Sequence, residues 1–180
     1  MRRGSPTPRA PGTAAATSAV PPPSLGPTTT PLVTGAVQPD AVDALQQVLA
    51  GEHAVVWAYG TLGPRLSDPE AERAFALLVQ HQQRRDAVRA QLVGAGAQPV
   101  VAEPAYDLPI DPLDPASAAE LAALVEERLA AVYGDLVAAS EDPDLRTQAV
   151  SGLVDSAVRA QSWAPIGTTF PGLPERANEP

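Results

Sequence analysis

The chain carries an internal repeat in which matching residues lie 74 positions apart. Eight residues between positions 40 and 85 return in the same order, without gaps, between positions 114 and 159. The matching pairs are Asp40 and Asp114, Glu52 and Glu126, Tyr59 and Tyr133, Gly60 and Gly134, Leu62 and Leu136, Asp68 and Asp142, Pro69 and Pro143, and Arg85 and Arg159. Such self-similarity indicates two copies of one structural unit, here a helical hairpin. The repeat therefore predicts four helices arranged as two similar hairpins.

Proline, glycine and acidic residues mark the ends of the four predicted helices. We expect helices over residues 40–62, 68–94, 116–140 and 142–163, with Asp40 as the cap of the first. Apolar residues at three- and four-residue spacing give each helix one face suited to burial. On the fourth helix this face is predicted to contain Ala149, Val150, Leu153, Val154 and Ala157.

The lengths of the connections predict how the helices are arranged. Helices one and two are joined by about five residues, and helices three and four by about two, so each pair must be antiparallel. The link between helices two and three has about 20 residues and contains prolines that exclude a helix, so it can cross the length of a bundle. One long crossover of this kind is typical of the ferritin-like arrangement. The sequence therefore predicts an all-α, ferritin-like antiparallel four-helix bundle.

The two ends of the chain differ from the predicted helical domain, which spans residues 38–164. Residues 1–37 are rich in Pro, Thr and Ala and poor in large apolar side chains, so we expect a disordered tail. Prolines in this tail interrupt any apolar run that a secretion signal would need. Residues 165–180 contain four prolines and are expected to form an extended C-terminal tail.

Composition excludes several classes of partner and site. Residues 40–180 hold nine Arg, no Lys and 21 acidic residues, and such an acidic body repels nucleic acid. The absence of cysteine excludes disulfides, thiolate catalysis and cysteine-based zinc sites. No stretch approaches the ~20 apolar residues of a membrane-spanning helix. We therefore expect a cytoplasmic protein that binds neither nucleic acid nor a membrane.

Four short segments carry a family resemblance. They are residues 52–59 (EHAVVWAY), 81–86 (HQQRRD), 125–133 (VEERLAAVY) and 170–174 (FPGLP). Together they resemble an actinobacterial ferritin-like domain of unknown function, and the resemblance extends over residues 40–175. It implies the ferritin-like fold and makes a homodimer a plausible assembly, but it does not name an activity.

The chemistry of ferritin-like bundles depends on a di-iron or di-manganese centre in the bundle core. Such a centre takes one Glu from each of two helices and a Glu-x-x-His motif from each of the other two. Glu52 and Glu126 stand at the single-Glu positions, each seven residues before a Tyr. His81 stands at the His position of the first motif, but the two bridging Glu positions hold Leu78 and Gly152. Both bridging carboxylates are therefore missing.

A pseudo-symmetric set of polar residues remains at the level of the lost centre. It consists of Glu52, His81, Glu126 and Asp155, with Arg85 and Arg159 one helical turn beyond. In the favoured interpretation the two Arg residues replaced the metal ions and pair with Glu52 and Glu126, because a buried carboxylate needs a donor. In the alternative interpretation, three carboxylates and His81 hold a single, weakly bound metal ion.

Three functional hypotheses follow from this pattern. The leading one is a non-catalytic ferritin-like bundle that has lost its di-metal site, needs no cofactor and serves as a binding or structural module. The alternative is a metal-dependent oxidase, or an iron- or manganese-handling protein, with an atypical site. The third is a small apolar or aromatic ligand bound between the hairpins near Trp57, Tyr59 and Tyr133. The two tyrosines are otherwise expected in the core with hydrogen-bonded hydroxyls.

Overall fold

The computed structural model describes residues 38–163, which form four α-helices and contain no β-strand. The helices are α1 (Pro39–Leu62), α2 (Glu70–Gly94), α3 (Pro115–Ala139) and α4 (Pro143–Trp163), and a short 3₁₀ turn, Gly63–Arg65, follows α1. Each bound lies within two residues of the one predicted from the sequence. Within the described range, no helix combines the length and the apolar character that crossing a membrane requires. The predicted N- and C-terminal tails, residues 1–37 and 165–180, lie outside the described residues.

Aspartate side chains cap the N-termini of the two helices of the second hairpin. The Asp114 carboxylate accepts a hydrogen bond of 2.8 Å from the backbone N–H of Ser117, which belongs to a reciprocal capping box. The Asp142 carboxylate likewise accepts a bond of 2.8 Å from the N–H of Leu145. The prediction that Asp40 caps the first helix is wrong, because α1 begins one residue earlier, at a proline, and has no side-chain cap. Proline already satisfies the first turn, since it has no N–H to pair.

Side-chain contacts establish the directions of the helices. Along α1 and α3, Glu52 meets Tyr133 while Tyr59 meets Glu126, so these two helices are antiparallel. Along α2 and α4, the order of contacts is also reversed, with Gln80 bonded to Arg159 and Gln91 bonded to Gln148. Because the connections within each hairpin are short, α1 and α2 are antiparallel, as are α3 and α4. Consequently α2 and α3 run in the same direction.

The connection between α2 and α3, residues 95–114, lies along α1. At its beginning, the Gln46 side chain donates to the carbonyl of Gln98 and accepts from the N–H of Val100, at 2.8 Å in each case. Farther on, the Tyr106 ring lies 6.3 Å from the ring of Trp57, three helical turns further along α1. The connection thus returns the chain to the end of the domain from which α3 can run parallel to α2.

The buried face of α4 differs from the predicted one. It consists of Ala149, Gly152, Ser156, Ala160 and Trp163. Val150 and Val154, which were predicted to be buried, are 43% and 49% exposed. The physical reason is the Tyr133 ring of α3, which occupies the space directly over Gly152 and requires a residue without a side chain at that position.

We expect Gly152→Ala to destabilise the protein by about 1 to 3 kcal/mol, as overpacking of a core does. A Cβ at this position would lie 2.7 Å from Cζ of Tyr133 and closer to two other ring carbons. Gly60→Ala is the matched control, because Gly60 is also helical and its Cβ would meet nothing within 4 Å. The control is expected to gain up to about 1 kcal/mol from helix propensity. Equal urea unfolding midpoints for the two variants would contradict the Tyr133 contact.

Candidate functional site

Three polar side chains, each from a different helix, meet in the core. Glu52 of α1, His81 of α2 and Glu126 of α3 are all fully buried, at 0% exposure. His81 lies between the two carboxylates, with Nδ1 2.8 Å from Oε2 of Glu52 and Nε2 3.0 Å from Oε1 of Glu126. Sequence analysis named all three residues as candidates, and the tertiary structure brings them into direct contact.

Two tyrosine hydroxyls also donate hydrogen bonds to the carboxylates. Tyr133 donates to Oε1 of Glu52 at 2.7 Å, and Tyr59 donates to Oε1 of Glu126 at 2.9 Å. On each helix the Tyr follows the Glu by seven residues, or about two turns, so both side chains face the same way. Because α1 and α3 are antiparallel, the Tyr of each helix reaches the Glu of the other. The sequence repeat therefore appears in the structure as a local pseudo-two-fold pair of Glu–Tyr bonds.

The indole of Trp163 extends this arrangement to α4. Its Nε1 donates to the Tyr59 hydroxyl at 2.9 Å, and the Tyr59 ring stacks on the His81 ring with centroids 5.4 Å apart. The buried network, defined here as Trp163, Tyr59, Glu126, His81, Glu52 and Tyr133, thus connects all four helices through hydrogen bonds. Sequence analysis missed the role of Trp163, because its counterpart in the repeat is Arg89 and no pattern marks it.

The charge on His81 follows from its two neighbours. Desolvation is the largest single influence and lowers the pKa of His81, but the hydrogen bonds and charges of Glu126 and Glu52 outweigh it, so the pKa lies above its ordinary value. A neutral imidazole has one N–H donor, whereas the imidazolium has two. Only the imidazolium can donate to both carboxylates at once. One positive charge therefore lies between two carboxylates.

The two tyrosine hydroxyls stay protonated and act as hydrogen-bond donors at all ordinary pH values. Burial raises the pKa of Tyr59 strongly, and the charge of Glu126 and the hydrogen bond to it raise it further. Burial also raises the pKa of Tyr133, with Glu52 contributing in the same direction. Neither hydroxyl can ionise beside a carboxylate in a desolvated core. The phenols consequently stay neutral and hold the carboxylate oxygens in place.

The network leaves one carboxylate oxygen without a partner. Within residues 38–163, both oxygens of Glu52 accept a hydrogen bond, whereas Oε1 of Glu126 accepts two and Oε2 accepts none. A buried polar atom without a partner costs free energy. The pseudo-symmetry is therefore broken at Glu126, which has the weaker set of partners.

The predicted pairing of Arg85 and Arg159 with the two glutamates is wrong. Arg85 is paired with its neighbour Asp86 at 2.8 Å, and its side chain is 27% exposed. Arg159 donates to Oε1 of Gln80 at 2.8 Å. The reason is that His81 and the tyrosines already donate to the carboxylates, so the glutamates do not need a guanidinium as a donor.

Asp155 does not join the buried network either. Its side chain is 45% exposed and pairs with Arg84, a residue that sequence analysis did not select. One sequence feature could have indicated Arg84. It lies three residues after His81 and therefore on a neighbouring part of the surface of α2. In the repeat Asp155 corresponds to His81, so this position contributes to the core in the first hairpin and to a partly exposed ion pair in the second.

Among residues 38–163, no group of three or more His, Asp and Glu side chains is arranged to hold a metal ion. At the two bridging positions, Leu78 packs against the apolar core and a side chain at Gly152 would overlap Tyr133. Both nitrogens of His81 are directed at carboxylate oxygens. The residues present therefore do not fit a di-metal centre.

We expect the free energy of unfolding to fall as the pH rises above about 6.5, through the raised pKa of His81. The stabilising contribution of the imidazolium is complete below the pKa that His81 has in the unfolded chain. It is lost above the higher pKa that His81 has in the folded protein. The slope for one proton is at most about 1.4 kcal/mol per pH unit. His81→Asn should abolish this fall in urea unfolding measured at successive pH values.

The only other histidine, His53, provides a matched control for this measurement. Desolvation, together with the positive charge of Arg85, lowers the pKa of His53 below its ordinary value. Its contribution therefore changes at pH values below about 6.5, on the acidic side of the His81 window. His53→Asn should leave the fall at higher pH intact. If His53→Asn abolished the fall and His81→Asn preserved it, the charge assigned to His81 would be wrong.

His81→Gln should cost about 3 kcal/mol or more in stability, because it leaves two buried carboxylates without their cation. Arg85→Gln, which changes a surface ion pair, should stay within about 1 kcal/mol of the parent chain. Denaturant midpoints of the two variants compare the network with the pairing that the sequence predicted. A larger loss of stability for Arg85→Gln than for His81→Gln would instead support the predicted pairing of Arg85 with a buried glutamate.

Known proteins with related sequences or structures support the assignment of a family. A conserved hypothetical protein from Mycobacterium tuberculosis, Rv2844, has a crystal structure that is similar to this one, with a TM-score of 0.68 and 31% sequence identity. The match covers 72% of this chain and 99% of the mycobacterial chain. The curated proteins contain no match. A family model described as a domain of unknown function, DUF4439, matches residues 44–175, and the chain therefore belongs to that family.

Proposed function

We propose that this protein is a ferritin-like bundle in which a hydrogen-bonded network has replaced the metal centre, and that it works as a non-catalytic binding module. The directions of the helices support the ferritin-like part of this proposal. Two antiparallel hairpins, with α2 and α3 parallel and a connection along α1 between them, match the arrangement with one long crossover.

The observation that carries the proposal is the position of His81. Its ring lies 2.8 Å from one buried glutamate and 3.0 Å from the other. In a di-metal bundle, two cations balance the charge of the inward-facing carboxylates. Here a single imidazolium supplies positive charge at that level, and two phenols supply the remaining hydrogen bonds. The glutamates are therefore accommodated in the core without a metal ion.

The position of Tyr133 also explains why α4 lacks the Glu-x-x-His motif. Gly152 stands where a bridging Glu would be, and any side chain there would overlap the ring of Tyr133. The hydroxyl of the same ring donates to Glu52. The loss of the bridging carboxylate and the gain of a hydroxyl donor are thus one structural change. We infer that the chain has been adapted to do without the metal.

One observation favours the second candidate function, a metal-dependent oxidase or an iron- or manganese-handling protein. Oε2 of Glu126 is buried and has no partner within the described residues. A cation bound at this oxygen would satisfy it, with Glu52 and His81 of the same network as candidate further ligands. Such a site would have to displace hydrogen bonds that His81 already makes.

We expect the protein purified from iron- or manganese-supplemented cultures to contain less than stoichiometric metal. Millimolar Fe²⁺ or Mn²⁺ should leave its melting temperature unchanged, because binding to the native state alone would raise it. Metal content is measured by elemental mass spectrometry and the melting temperature by differential scanning fluorimetry. A rise in melting temperature that Glu52→Gln abolishes would establish the second candidate function instead.

A gain-of-metal variant tests the same proposal from the opposite side. Restoring both motifs requires Leu78→Glu, Gly152→Glu and Asp155→His. Because a side chain at position 152 would overlap the ring of Tyr133, we expect stoichiometric metal only when Tyr133→Ala is added. The variant without Tyr133→Ala is the matched control. Stoichiometric metal in the control, whether or not the variant with Tyr133→Ala also binds it, would contradict the geometry on which the proposal rests.

A further inference from the structure

A cleft of about 180 Å³ lies between α1, α3 and the connection from residue 95 to residue 114. Each of these three elements contributes four lining residues, and most of the lining is apolar, including Ala54, Val55, Leu108, Leu129 and Val132. None of the twelve belongs to the buried network. The cleft is therefore a separate feature of the domain, next to the part of α1 that carries Trp57.

The size of the cleft suits one small apolar group. A cavity of roughly 150 Å³ lined by apolar side chains accommodates a molecule such as benzene. A benzyl or branched alkyl group would therefore fit in the available volume. Water gains little in such a site, because it needs polar partners to form its hydrogen bonds.

Two charged residues of opposite sign accompany the apolar lining. Arg128 comes from α3 and Asp107 from the connection, and both are exposed to solvent. Within the described residues, neither side chain is part of an ion pair. The guanidinium of Arg128 is suited to a carboxylate, which it can bind with two parallel hydrogen bonds. The Asp107 carboxylate is suited to an ammonium group.

We propose that this cleft binds a small zwitterion with an apolar group, of the chemical class of the apolar α-amino acids. The apolar group occupies the cleft, the carboxylate of the ligand pairs with Arg128 and the ammonium group pairs with Asp107. This inference rests on the proposed role as a binding module and identifies the class of ligand. It does not depend on how the buried network accommodates its glutamates.

The presence of both charges favours a zwitterion over a simple acid or a simple amine. An apolar acid would pair with Arg128 and leave Asp107 without a partner. An apolar amine would pair with Asp107 and leave Arg128 without a partner. Only a ligand with both groups complements both residues, and specificity arises from such penalties against the wrong ligand.

Isothermal titration calorimetry with three related probes tests this proposal on the full chain. The probes are L-phenylalanine, 3-phenylpropionate and 2-phenylethylamine, which share the aromatic group and differ in charge. We expect phenylalanine to bind at least tenfold more tightly than either of the other two. Binding of none of the probes at millimolar concentration would overturn the proposal, and so would equal binding of all three.

Surface variants assign each charge of the ligand to its partner. Arg128→Gln should remove the preference for phenylalanine over phenylethylamine, and Asp107→Asn should remove the preference over phenylpropionate. Arg65→Gln and Asp111→Asn are matched controls, because they neutralise exposed residues that do not line the cleft. Preferences that survive in Arg128→Gln and Asp107→Asn, or disappear in the controls, would overturn the assignment of the two charges.

A variant that fills the cleft tests the place of binding. Ala54→Leu adds three carbon atoms to the lining and should abolish binding of all three probes. Unchanged binding in this variant would place the ligand elsewhere and overturn the proposal. The metal measurements on the same protein keep the two proposals distinguishable. A chain that takes up stoichiometric metal and still binds phenylalanine would overturn the replacement of the metal centre and leave the cleft as the ligand site.

Discussion

The core of this domain depends on one buried cation between two buried carboxylates. Glu52 and Glu126 are fully buried, and without a donor each would carry a large desolvation penalty. The His81 imidazolium donates to both, and the phenols of Tyr59 and Tyr133 each donate to one oxygen of one carboxylate. Because these five side chains come from three helices, and Trp163 adds the fourth, the polar contacts set the relative positions of α1 to α4.

The network shows how an internal repeat can acquire asymmetric parts. The Glu–Tyr spacing is kept in both hairpins, and the antiparallel packing of α1 and α3 turns it into reciprocal bonds. The other two helices differ, since His81 reaches the centre while the equivalent Asp155 pairs with Arg84 near the surface. The His81 imidazolium lies between both carboxylates, so the position of Asp155 does not have to supply a second cation there. This asymmetry supports the proposal that the network took the place of a two-metal centre.

The domain separates a fixed interior from a more accessible face. The interior is held by hydrogen bonds between side chains with almost no exposure. The cleft beside α1 and α3 is lined by short apolar side chains and carries two exposed charges. A division of this kind suits a protein whose polar core serves stability and whose binding takes place elsewhere. The chain belongs to a family described only as a domain of unknown function, and this assignment does not distinguish a binding module from a metal-handling protein.

The sequence by itself determined the four helices and their bounds, because proline, glycine and aspartate act locally on the backbone. It also determined the inward face of α1 and α3, where Glu52, Tyr59, Glu126 and Tyr133 repeat at helical spacing. Only the tertiary structure decided which donor meets each carboxylate. Arg85 and His81 lie about one turn apart on α2, but the His81 ring lies between the two carboxylates whereas Arg85 pairs with Asp86. Trp163 donates to the Tyr59 hydroxyl and not to a carboxylate. Such choices are made by packing between helices, which a pattern along one helix does not contain.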